Sequence, residues 1–369
     1  MAKKRHFTRE ENGMASILVT MIMMIVVTLI VIGFAQISIR QQQNTLDSQL
    51  NAEANYAAKS GINNAENVII SDINNGNTIT PENSCNNSPT NPYIQNNVLD
   101  SKSGVEYTCV LVNPYPRSLV YSPLTPGQGQ TVPVFGQSAP GNPQNVSSIV
   151  ISWQEHGQPS NNGDFSGCPN PGSFPQPGSA SGQWSGVSCT AGVLQIGIVP
   201  ASGWTNDQSL IADEHTAFLV PYAQSSSWTA NMSGPQGQIV SGNCSPSGSG
   251  YDYACYAILN NLPTQGSTPG YYLRLLPFYE SVDVAITAYT SATPNKSSVI
   301  PQLSDAQATI DSTGKANYVL QRIQERVGIN PVSANDLPSN ALQSTNSICK
   351  QFSVRPGVVA GPGSPGSGC

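Results

Sequence analysis

Acid, base and nucleophile side chains stand together at few places in this chain. Asp213-Glu214-His215 combines two carboxylates with an imidazole, and His156 is the only other histidine beyond His6. General acid–base or nucleophilic work would need one of these beside an activated hydroxyl or thiol. Gly182-Gln183-Trp184-Ser185-Gly186 does not supply it, because its serine stands one place late for a nucleophile elbow. A solvated turn accounts for it. Asp72-Ile73-Asn74-Asn75-Gly76 begins like a calcium loop, but its glycine is early and no acid follows at the twelfth place. It reads as a helix end with Gly76 in a turn. No phosphate loop or dinucleotide fingerprint occurs. We therefore expect no enzyme, no cofactor and no metal site. Trp184, Trp204 and Trp228 read as loop anchors, or else as a sticky binding surface.

Eight cysteines carry the remaining chemistry: Cys85, Cys109, Cys168, Cys189, Cys244, Cys255, Cys349 and Cys369. No CxxC pair is present and the histidines are scattered, which disfavours zinc. An even count in an extracytoplasmic domain reads as disulfides, although eight cysteines allow 105 pairings. The simplest hypothesis joins neighbours: Cys85–Cys109, Cys168–Cys189, Cys244–Cys255 and Cys349–Cys369.

The element that must carry all of this outward is an apolar run. Residues 14–39 contain no charge, and about 20 apolar residues suffice to cross a bilayer core of roughly 30 Å. Lys3, Lys4, Arg5 and Arg9 precede it, against Glu10 and Glu11. This asymmetry predicts a single-pass protein with a cytoplasmic N-terminus and everything after Arg40 outside. The run is too long for a secretory signal core, and Gly33-Phe34-Ala35 makes a poor cleavage site. An uncut signal anchor is one reading. Leu46, Leu50, Ala54, Ala57, Ala58, Gly61, Ile62, Ala65, Val68 and Ile69 then recur at helical spacing, and no proline intervenes before Pro81. One helix over residues 14–71 would be on the order of 85 Å long.

The segment Arg9-Glu10-Glu11-Asn12-Gly13-Met14-Ala15-Ser16-Ile17-Leu18 resembles the leader junction of type IV prepilins. Residues 52–62, rich in alanine, are similar to the segment after the membrane helix in PilX-like minor pilins. The resemblance covers residues 9–70 and returns near residues 306–327. It implies a prepilin peptidase that cuts after Gly13 and methylates Met14. It also implies an inner-membrane assembly platform and other pilins as partners through the N-terminal helix. One position departs from the family: Leu18 stands where most pilins carry a glutamate that pairs with a neighbour's N-terminal amine. An unpaired charge at mid-bilayer costs about 2.5–3.5 kcal/mol. The departure implies a minor subunit at a tip, as in K-type minor pseudopilins of type II secretion.

Charged residues make up only 10% of the chain. From Met14 onward acidic residues outnumber basic ones, which gives no strong nucleic-acid signal. Alternating apolar positions predict strands at 105–112, 146–153, 193–199, 216–222, 253–259, 271–278 and 282–289. A hairpin is expected from strand 306–311 through a turn at Ser312-Thr313-Gly314-Lys315 to strand 317–327, with an amphipathic helix as the alternative for its second arm. Residues 113–145, 156–183 and 224–250 read as long loops.

The expected fold class is α+β. A long helix, transmembrane in its first half, packs on a β-rich, antiparallel ectodomain with disulfide-stapled loops. The expected domains are a leader at 1–13, a membrane or filament-core helix at 14–39 and its amphipathic continuation at 40–71. The β domain covers 72–330, with a second lobe within 154–262, and a tail fills 331–369. The expected function is that of a minor type IV pilus subunit displaying a domain for priming or adhesion. A signal-anchored surface adhesin outside any filament is the alternative.

Overall fold

A computed structural model describes residues 12–85, 91–95, 97–158, 192–203, 214–222, 229–234, 237–245, 250–266 and 268–329. The leader before Asn12, the tail from residue 330, Asp213, Trp184, Trp204, Trp228, Cys168, Cys189, Cys349 and Cys369 lie outside them. Among the described residues one α-helix, α1 (Asn12–Asn74), is followed by sixteen strands and two single-turn 3-10 helices. The first six are β1 (Val98–Asp100), β2 (Val105–Asn113), β3 (Ser118–Leu124), β4 (Gln130–Ala139), β5 (Asn142–Gln144) and β6 (Ser148–Glu155). Next come β7 (Val193–Pro200), β8 (His215–Tyr222), β9 (Thr229–Asn231), β10 (Gln238–Cys244) and β11 (Cys255–Asn260). The last five are β12 (Tyr271–Phe278), β13 (Val282–Tyr289), β14 (Gln302–Ser304), β15 (Gln307–Ala316) and β16 (Val319–Gly328). The chain forms two compact units, residues 1–113 with 309–327, and residues 114–308 with 328–369.

In the first unit α1 runs for 63 residues without a break. It ends three residues beyond the expected position, where Gly76 adopts φ +68° and donates to the Ile73 carbonyl, the left-handed cap that glycine tolerates best. Its buried face is small: Leu50, Ala54, Ala57, Ala58, Gly61, Ile62, Ala65 and Ile69. Leu46, expected on that stripe, is exposed. The helix lies on an antiparallel sheet of order β1-β2-β15-β16. The hairpin turn falls at Asn317-Tyr318 rather than at 312–315. The Ser-Thr-Gly-Lys composition misleads here, because Gly314 is a strand residue chosen for closeness. A Cβ there would overlap the backbone of Ala54 and Ala58.

The second unit is a twelve-stranded sheet, mostly antiparallel. Its main path is β14-β4-β12-β7-β8-β10-β11-β6-β13-β3, with β8–β10 and β9–β11 paired in parallel. The sheet curls around one core that includes Ile149, Ile151, Trp153, Leu194, Ile196, Leu273 and Ile286. Trp153 on β6 is fully buried, donates to the Gly192 carbonyl at 3.0 Å, and leans on Gly242 of β10. The two ends of the sheet also approach. Leu303 N donates to Pro116 O, and the Gln307 side-chain amide both donates to and accepts from the Val120 backbone. That amide occupies the edge of β3 as a neighbouring strand would.

Several expectations change in detail. Residues 113–145 are not a loop but carry β3, β4 and β5, β9 and β10 lie within 224–250, and the expected loop at 156–183 lies outside the described residues from 159 onward. Pro123, Pro133 and Pro143 obscured these strands, since proline removes a ladder donor. The strands within 154–262 form no sheet of their own; β7, β8, β10 and β11 sit between β12 and β6. The region 72–330 is divided between the two units rather than forming a single domain.

Candidate functional site

The helix surface is the first candidate. Every described side chain from Ile17 to Ile39 is exposed, and no charge interrupts them. Thr20 and Thr28 donate their hydroxyls back to the carbonyls of Ile17 and Met24, so these polar groups need no outside partner in lipid. The helix is long and apolar enough to cross a membrane. Gly13 and Met14 lie in its first turns, where the backbone alone is described. Leu18 is exposed and offers no carboxylate.

Beyond Leu50 the same helix is seated. Gly61 lies so close to Ser312 and Tyr107 that a Cβ would overlap Ser312 Oγ. Around that close approach, long-range hydrogen bonds fix the register. Tyr318 Oη donates to Asp47 at 2.7 Å and Gln321 Nε2 to Asn51 at 2.8 Å. Asn64 Nδ2 donates to the Tyr93 carbonyl, while Tyr93 Oη donates to Thr80 O. The Cys85–Cys109 disulfide ties the chain after the helix to β2, and Cys244–Cys255 joins β10 to β11. Both are neighbour pairs.

Residue types that could do chemistry do meet, but in the wrong order. His156 Nδ1 lies 2.7 Å from Asp283 Oδ1, Ser122 Oγ donates to that same oxygen at 2.6 Å, and Ser122 Oγ is 3.5 Å from His156 Nδ1. A hydrolytic triad puts the imidazole between serine and acid, one ring nitrogen to each. Here the serine proton points at the carboxylate and one nitrogen faces both partners. Sequence reading missed Ser122 and Asp283 because they are 161 residues apart.

Glu214 is likewise committed. Its carboxylate accepts from Arg274 at 3.1 Å, both side chains being largely buried. Gly197 lies between Thr216 and Arg274 in the sheet and leaves the room this pair fills. Burial pushes the Glu214 carboxyl above its ordinary value, and the Arg274 charge opposes that shift. His215 sits in β8 opposite Ile198. Among the described residues no three His, Cys, Asp or Glu side chains gather to hold a metal. Asp72 closes the helix end, as its segment implied: its backbone carbonyl accepts from Asn77 N at 2.8 Å.

These features define a class: an α+β protein whose N-terminal helix is apolar and bare over its first half and seated on a sheet over its second. Comparison with protein-family models, curated proteins and solved structures finds no match.

Proposed function

We propose that the chain is a minor subunit of a type IV pilus-like filament, held by residues 14–39 in a membrane with its N-terminus cytoplasmic until it is extracted into the filament. The observation that carries this reading is the division of α1 into a bare apolar stretch and a stretch seated on an antiparallel sheet. A bare apolar helix in water is costly, at about 25 cal/mol per Å², so it needs lipid or neighbouring helices. The resemblance of residues 9–18 to a prepilin junction supports processing after Gly13. In a filament the helix would pack against other pilins through apolar and small-residue contacts. Leu18 supports a tip position, where no neighbour's amine requires a carboxylate. The role is assembly and display rather than catalysis, and the Ser122–Asp283–His156 order agrees with that.

Mass spectrometry of the N-terminus of native protein tests this. N-methyl-Met14 is expected. An intact leader would overturn it in favour of the second reading, a signal-anchored surface adhesin, which the missing carboxylate at Leu18 also suits. A variant lacking the β-rich units that retains both piliation and adhesion would sink the priming and display roles.

A further inference from the structure

The first unit carries a second apolar feature that the helix does not explain. Beyond Ile39, nine large apolar side chains among the described residues are exposed, and five belong to one end of this unit: Leu46, Val98, Leu99, Tyr318 and Leu320. Register places them together. Tyr318, at the tip of the β15–β16 hairpin, reaches α1 at Asp47. Val98 is opposite Glu106, which is opposite Lys315, near the same tip. Gly104 O accepts from Asn317 N, so the β1–β2 and β15–β16 turns adjoin. This is the end of the sheet nearest the apolar run, and Lys102 in the β1–β2 turn is exposed there too.

We propose that this rim rests on the headgroup layer of the bilayer that the helix crosses; the inference depends on the membrane reading of residues 14–39. The run is about 39 Å long at 1.5 Å per residue, against a core of roughly 30 Å. An overlong helix is accommodated by tilting. Asp47 lies eight residues, or about 12 Å, past Ile39 along the axis. The sheet stands about one helix diameter, roughly 10 Å, to one side. A tilt of about 30° toward the sheet brings Tyr318 to about 5 Å from the core edge, inside a headgroup layer about 5–7 Å deep. Tyrosine, leucine and lysine are suited to that depth, each with an apolar body or a cation that reaches water. Only a tilt toward the sheet buries these side chains, so the rim also sets the direction of tilt.

The test uses full-length protein in phosphatidylcholine vesicles, with a fluorescent amino acid encoded in place of Ile30, Ile70, Leu99 or Leu320, one at a time. Vesicles carry a nitroxide either on the acyl chain or on the headgroup. Loss of fluorescence is expected at position 30 with the acyl-chain quencher, and at 99 and 320 with the headgroup quencher. Position 70, at the far end of the helix, stays bright. If 30 is quenched while 99 and 320 are as bright as 70, the rim proposal fails and the membrane reading stands. If 30 is not quenched, both fail. If headgroup quenching at 99 is absent and its fluorescence instead falls with protein concentration in vesicles that carry no nitroxide, the rim meets a second copy, and the lipid assignment is overturned.

Discussion

The two units solve the burial of apolar residues in opposite ways. The unit of residues 114–308 curls one sheet so that its apolar side chains face each other around Trp153. The unit built on α1 buries one narrow helix face, with Leu50, Ile62 and Ile69 among the alanines, against its sheet and leaves the large side chains from Ile17 to Ile39 bare. Among the described residues the unit of residues 114–308 encloses its core, whereas the unit built on α1 leaves residues 17–39 bare, and under the proposed reading lipid or neighbouring helices would cover them. Small residues on the seated half let backbones approach closely, whereas large residues on the free half maximise the apolar area offered to lipid or to neighbours.

The largest effect should come from the unit that encloses its core. Trp153→Ala removes its biggest buried side chain and the bond to Gly192, and should cost about 4 kcal/mol. Urea unfolding followed by a probe in β6 or β13 checks this. A loss of under a kilocalorie would mean that the sheet does not depend on that core. The disulfides then separate the units. Cys85–Cys109 spans 24 residues and Cys244–Cys255 spans 11. In the chain-entropy model their removal costs about 3.5 and about 2.8 kcal/mol. The first anchors chain outside regular structure, whereas the second joins strands that are already paired, so the gap should be wider in measured melting temperatures. Equal losses would show that β10 and β11 need their staple as much as the chain after α1 does.

Within the first unit, Gly314→Val and Val27→Arg should divide the helix by readout. Gly314→Val pushes a side chain into the α1 backbone and should destabilise the unit by about 3 kcal/mol. It should leave membrane extraction behaviour unchanged. Val27→Arg, on the bare half, should cost about 3 kcal/mol of membrane insertion and leave urea unfolding of the sheet unchanged. If Val27→Arg unfolds the sheet, the two halves of the helix are not independent.

What was legible in the sequence follows the same division. The helix could be read because its signals are local: an uncharged run, an alanine stripe and no proline before Pro81. Most inner strands could be read from alternation, as in β7 and β13, where apolar residues at every second position face the core. Both described disulfides follow from proximity in sequence. The strands β3, β4, β5 and β10 are hidden by proline, glycine and serine, and Gly314 reads as a turn residue because its reason is a helix more than 250 residues upstream. The Ser122–His156–Asp283 cluster and the Glu214–Arg274 pair could not be read, since each depends on strand neighbours set only by the folded sheet.

The smallest effect concerns that buried pair and distinguishes a structural acid from a reactive one. Burial raises the Glu214 carboxyl above its ordinary value of 4.5, and Arg274 only partly opposes this. The folded chain therefore holds that proton more tightly than the unfolded chain does. By linkage, the associated stability is present below the ordinary value and is lost as pH rises through the raised one. Wild-type protein should lose stability relative to Glu214→Gln across that window, because glutamine fits the same space beside Gly197 and does not titrate. Melting temperatures of both proteins from pH 4 to pH 7 measure the difference directly. A wild type that instead gains on the variant as pH rises would mean that the Arg274 charge outweighs burial. The pair would then resemble the ion pairs Glu106–Lys315 and Asp311–Arg322 of the other unit, whose cations reach solvent, where water weakens both the cost and the gain.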